Sequence, residues 1–296
     1  MRFRIPPIAE RLAALAAAAF LLPAAGCSTS RMAVGAMVPV LENARDAALA
    51  SEDVRTFRDA APSNLFLLEG LIATDPDNEK LRIDAAMLYF SYAFAFVEDE
   101  DPEYASLLYR KGFAHGRAAL LRNKKFPQDW DVSFEEFARG LVSLRERDVP
   151  AAAWASANWA QFISLHLDST AVLRDIPKVT ALLEHVAVLD GNYFEGLPYM
   201  MIGSLHAFRP PMMGGDPARS RASFERAFEA SANGFLLGRY LYARFYLYRV
   251  QDAEAFAATL NDVITAPQRA GDPYRMLNLI AKDKAARLMG DIDELF

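Results

Sequence analysis

One cysteine stands in 296 residues, so no disulfide can form within the chain. Long apolar runs are missing too: beyond residue 26 none reaches the length that crosses a bilayer. Histidine is scarce, and His115, His166, His185 and His206 show no metal-ligand spacing such as His-x-x-x-His. No nucleophile-elbow motif and no glycine-rich phosphate loop occur, so the sequence gives no support for an enzyme, a metal site or a cofactor. Basic residues are the minority, 32 against 38 acids, which argues against a nucleic-acid partner wanting a basic patch.

What is present begins at the N-terminus. Arg2, Arg4 and Arg11 precede an uncharged, Ala- and Leu-rich run from Leu12 to Leu22. As a helix this run spans only about 16 Å, half a hydrocarbon core, so it reads as a signal-peptide apolar region and not as a span. Ala25 and Gly26 then supply narrow side chains beside Cys27, and the site resembles a lipobox with Ala24 where Leu is usual. An ordinary signal peptide with an incidental cysteine is the alternative. An unpaired thiol is usually discarded or paired in an oxidising compartment, which favours lipidation of Cys27. The expected mature domain is therefore 27–296, anchored to a membrane by acyl chains that each contribute about 0.8 kcal/mol per buried methylene. Losing residues 1–26 removes three Arg and one Glu and moves the formal net charge from −6 to −8. Ser28 is not the aspartate that resembles an inner-membrane retention signal, so outer-membrane attachment facing the periplasm is expected.

From about residue 32 helical periodicity dominates, with no convincing period-two alternation. Asp101-Pro102 and Asp216-Pro217 each place a capping acid before a proline at the first helical position. Asp75-Pro76-Asp77-Asn78 and Asp190-Gly191-Asn192 read as interhelical turns. The expected fold is all-α: about ten to twelve stacked antiparallel helices of ordinary length. Apolar spacing around Leu68, Leu71 and Pro76, around Ala105, Tyr109 and Gly112, and around Ser220, Phe224 and Ala227 is tetratricopeptide-like. A gapless shift of 115 residues superposes Asp75 on Asp190, Asp101-Pro102 on Asp216-Pro217, and Tyr109 on Phe224. Residues 64–118 and 179–233 thus read as two copies of one helical module, against a chance coincidence of helical periods.

Three constellations carry chemistry. The acid run Glu98-Asp99-Glu100-Asp101 reads as a solvated helix N-terminus, where negative charge meets the positive end of the dipole, with a cation or docking site as the alternative. In Arg209-Pro210-Pro211-Met212-Met213-Gly214-Gly215, prolines stiffen, glycines permit positive φ, and methionines adapt to a partner. That loop suits a binding contact through Arg209, Met212 and Met213 as well as a buried corner. Tyr89, Tyr92 and Phe96 share one helical face, while Trp154, Trp159 and Phe162 crowd another segment; most such residues fill a core.

The strings Phe96-Val97-Glu98-Asp99-Glu100-Asp101-Pro102 and Arg209-Pro210-Pro211-Met212-Met213-Gly214-Gly215-Asp216-Pro217 resemble the T component of tripartite ATP-independent periplasmic (TRAP) transporters. So do Ala61–Ile72, Trp154–Trp159 and Asp175–Val179, and the likeness extends over nearly all of the mature chain. This resemblance implies an all-helical lipoprotein with cryptic tetratricopeptide-like repeats, assembled as a homotrimer. It also implies a pore or groove for a small organic or hydrophobic ligand, and binding to the transporter's periplasmic solute receptor. Ligand-lining residues are then expected among Tyr89, Tyr92, Phe96, Trp154, Trp159 and Tyr199. The alternative is a tetratricopeptide-like scaffold lipoprotein for envelope assembly.

Overall fold

A computed structural model of the protein describes residues 8–232 and 234–296, with side chains from Thr29 onward. The side chain of Cys27, and those of the signal-like segment before it, lie outside the described residues. The helices are α1 (Ile8–Ala50), α2 (Val54–Thr74), α3 (Glu79–Tyr92), α4 (Pro102–Leu120) and α5 (Phe134–Leu141). They continue with α6 (Val149–Ser164), α7 (Thr170–Leu173), α8 (Ile176–Asp190), α9 (Tyr193–Phe208) and α10 (Pro217–Ala230). The C-terminal part comprises α11 (Leu236–Leu241), α12 (Ala253–Thr265), α13 (Arg275–Gly290) and α14 (Ile292–Leu295). No strand occurs among the described residues, and the all-α expectation holds.

Local chemistry explains the boundaries. Asn78 caps α3 by accepting from the Leu81 amide at 3.3 Å and donates to Asp75 Oδ2 at 3.1 Å, which closes the turn after α2. Asp101 accepts from the Tyr104 amide at 2.9 Å and Asp216 from the Arg219 amide at 3.0 Å, each followed by a proline in the first turn. Such caps contribute about 1 kcal/mol each.

Neighbours in sequence pack together: α3 on α4, α8 on α9, α9 on α10, and α12 on α13. Helix α6 is the axis, touching α3, α4, α8 and α9, and from Ala151 to Gln161 it is buried all round. A helix with no polar face belongs in the middle of a bundle. Alanines at 151–153, 155, 157 and 160 keep it thin, and at Gly116 of α4 a Cβ would lie 2.7 Å from the Ala155 backbone. The chain closes on itself where α13 returns to α1 and α2.

Two kinds of distortion break the α geometry. π-helical turns at Ala93–Val97 and Tyr242–Leu247 extend α3 and α11, a distortion that often marks functional positions. Phe194, Glu195 and Gly196 all take positive φ (46°, 57° and 83°), breaking the start of α9. Left-handed geometry at the two non-glycine residues costs roughly 1–2 kcal/mol apiece. At Gly196 a Cβ would meet Ala230 Cβ at 3.0 Å besides the unfavourable φ, so glycine is required.

Candidate functional site

The strained turn forms one wall of a cleft of about 640 Å³. Arg45, Asp46 and Leu49 of α1 face Ile83 and Met87 of α3 across it, with Trp154 of α6 in the wall. Asn192, Tyr193 and Phe194 close one side and Pro273-Tyr274 the other. Phe194 is wedged between rings, 5.0 Å from both Trp154 and Tyr274 and 6.2 Å from Phe235. This packing is what holds the left-handed turn. A smaller space of about 140 Å³, lined by Leu41, Leu49, Phe57, Leu68 and Met87, continues the cleft between α1, α2 and α3.

Polar and apolar groups share this wall, and Arg45 links it to the smaller space, which Asp84 lines. Arg45 Nη1 donates to Asp84 Oδ1 at 2.7 Å, while Asp84 Oδ2 is buried without a partner. Burial pushes the Asp84 carboxyl above its usual range, and Arg45 offsets this only in part. Trp154 Nε1 donates to the Tyr193 hydroxyl at 3.0 Å, and burial raises that phenol to about 12, so it stays neutral. The cleft therefore sets an aromatic and aliphatic surface beside the charged and amide groups of Arg45, Asp46, Asp190 and Asn192 and the phenols of Tyr193 and Tyr274. Such a lining suits an organic molecule with polar groups beside an apolar body.

Helix α1 is the cleft's outer wall and is held lightly. Its buried contacts are Val34, Val38 and Leu49, one helical stripe. Ion pairs supplement them, Glu42 with Lys80 at 2.9 Å and Arg31 with Asp77 at 3.8 Å, each worth at most about 1 kcal/mol at a surface.

Of the aromatics singled out from the sequence, Trp154 alone lines this cleft. Tyr89 is buried, donating to Glu69 Oε1 at 2.6 Å and stacking on His115 at 5.7 Å. Tyr92 and Phe96 are half-buried and lie 6.1 Å apart, with Phe57 against Phe96. Trp159 sits in a separate aromatic core with Phe113, Trp130 and Phe137. Tyr199 is half-buried beneath Arg226 at 5.8 Å. Arg45, Asp84, Met87, Tyr193, Phe194 and Tyr274 were not foreseen. Asp84, an acid on the apolar face of α3, is the one signal in the sequence that could have found the part of this wall contributed by α1 and α3.

The methionine loop splits in two. Arg209 is buried, donating from Nε to the Leu205 carbonyl at 2.7 Å, and so belongs to the corner. A 3₁₀ turn at Pro211–Met213 then lifts Met212 to 93% exposure and Met213 to 37%. The acid run also divides, which corrects its reading as a solvated terminus. Asp101 is the cap and Glu100 is exposed, but Glu98 is buried. It accepts from Tyr109, Arg244 and Gln161, while Asp99 pairs with Lys284, itself donating to the Phe94 carbonyl at 2.9 Å. Glu98 follows the first π-helical turn and Arg244 lies in the second, so both distortions serve one buried charge cluster.

Against this geometry the comparisons are decisive for the family. The sequence profile of the TRAP transporter T-component matches residues 50–296. The chain belongs to the TRAP transporter T-component family. An uncharacterized protein of Treponema pallidum (strain Nichols) is 23% identical over 312 aligned positions, covering 92% of this chain and 94% of its own. A T component is an accessory of a TRAP transport system and not a known enzyme family. No helix among the described residues is long and apolar enough to cross a membrane.

Proposed function

We propose that this T component is a lipoprotein anchored through Cys27 to the outer membrane, facing the periplasm. As a homotrimer it binds the periplasmic solute receptor of its TRAP system and admits a small organic, largely apolar ligand. The observation that carries this reading is the family match over residues 50–296. The cleft of about 640 Å³ between α1, α3 and α6 supports the ligand part, and the exposed Met212 supports a partner contact. In this account residues 64–118 and 179–233 are copies of one tetratricopeptide-like module, whose second helices α4 and α10 share the Asp-Pro start.

The anchor and the cleft meet on one element. Helix α1 contains Cys27 and, further along, Arg45 and Leu49 in the cleft wall. A ligand leaving the membrane surface would meet this wall first. Cys27→Ser is expected to move the protein from the membrane to the soluble periplasmic fraction and to impair solute uptake, with the circular dichroism of the fold unchanged. Persistence of the variant in the membrane fraction would remove the anchor from the account.

A further inference from the structure

The strongest feature outside the cleft is a cavity of about 300 Å³ near the C-terminus. Four cations line it: Arg239 of α11, Arg269 of the loop after α12, and Arg275 and Lys282 of α13. Only two acids, Asp262 and Asp272, share its wall, in a chain whose formal net charge is −6. Asp272 is already engaged, accepting from Asn278 Nδ2 at 2.7 Å and from the Tyr274 amide at 2.9 Å. Lys282 donates to the carbonyls of Ile264 and Ala266 at the end of α12.

The guanidiniums are differently placed. Arg275 Nη1 faces Glu52 at 3.3 Å, but its Nε is buried and has no hydrogen-bond partner. Buried donors are rarely left unmade without a functional or solvent explanation. Arg269 makes no ion pair and donates no hydrogen bond among the described residues, and its Nη1 lies where a Cβ on Gly234 would come within 2.2 Å. Arg239 lies over the Phe228 ring at 5.3 Å, which fixes its plane. Asp262, Asp272 and Glu52 are three acids against four cations, Arg269 is a guanidinium with no ion pair among the described residues, and the planar guanidinium fork matches an oxyanion bidentately.

We propose that this cavity binds the carboxylate or phosphate group of a small anion, held by Arg269 and Arg275 with Arg239 on a third side. Its volume, at the lower limit of small-molecule pockets, favours a compact acid over a long chain. Glu52, in the turn joining α1 to α2, is the internal competitor for Arg275. The inference stands apart from the cleft beneath α1 and does not depend on a ligand there.

The test is calorimetric titration of the full chain in detergent with succinate and, separately, inorganic phosphate at low ionic strength. Saturable binding of at least one probe is expected, weakened about tenfold or more by Arg269→Gln and by Arg275→Gln. Glu52→Gln, at an exposed position, is expected to tighten it, and added sodium chloride to weaken it. Binding of succinate alone assigns a carboxylate, and of phosphate alone a phosphate ester or the free ion. No saturable binding of either probe up to roughly 10 mM, or binding that neither arginine variant changes, overturns the proposal. Arg269→Gln keeps the test open if Arg275→Gln unfolds, because the exposed Arg269 side chain holds nothing else in place.

Discussion

Neutralising Glu98 is the most informative single perturbation of the fold. Its side chain is 2% exposed and that of Arg244 26%, so the pair is desolvated on one side and partly open on the other. Burial opposes the charge on Arg244, yet Glu98 beside it raises the guanidinium above its already high range. Glu98→Gln keeps the side-chain volume and an acceptor for the Tyr109 hydroxyl, but leaves Arg244 with Asp99, at 3.9 Å, as its carboxylate partner. Breaking a fully buried pair costs about 3–5 kcal/mol, and the partial exposure of Arg244 places this case near 3. Arg244→Met should cost a similar amount by stranding Glu98. The double variant should cost much less than the sum, with a coupling of roughly 2 kcal/mol. Urea denaturation followed by tryptophan fluorescence reads all four corners of the cycle, since Trp130, Trp154 and Trp159 all sit in the core. Single variants under about 1 kcal/mol with an additive double would mean that the pair behaves as a surface ion pair, and the buried-cluster argument would fall.

Further expectations concern the methionine loop and its neighbours. His206 is buried, and burial together with Arg209 and Arg219 lowers its imidazole to about 4. The unfolded chain therefore binds more protons between about pH 6.5 and 4, and stability declines as pH falls through that window by up to roughly 3 kcal/mol. His206→Gln should flatten that part of the urea-midpoint profile, and an unchanged slope would contradict the assignment. Replacing Met212 and Met213 by Ser should leave the melting temperature nearly untouched, because Met212 is 93% exposed. The same change should weaken receptor binding about tenfold or more if the loop is a contact, and unchanged affinity would exclude it.

Helix class and helix starts were legible in the sequence because their causes are local. Asp101-Pro102, Asp216-Pro217 and Asn78 act within three residues of themselves, so their hydrogen bonds could be foreseen without the fold. The majority reading of the aromatics as core also held for Tyr89, Trp154 and Trp159, which are buried. Pairings across long separations were not legible. Glu98 finds Arg244 146 residues away, and nothing near Glu98 distinguishes it from the exposed acids that follow. The cleft has the same origin, drawing its wall from α1, α3, α6, the turn at Phe194 and Tyr274. Phe194 was hidden for another reason: its left-handed backbone is imposed by rings from three other segments, against its own preference.

The central claim, a trimeric adaptor for a solute receptor, is tested most directly by one preparation. The mature chain without its lipid is purified, its mass is measured by light scattering, and it is titrated with the solute receptor of its TRAP system. The account predicts three times the monomer mass and saturable binding of the receptor. A strict monomer with no affinity for that receptor would contradict it.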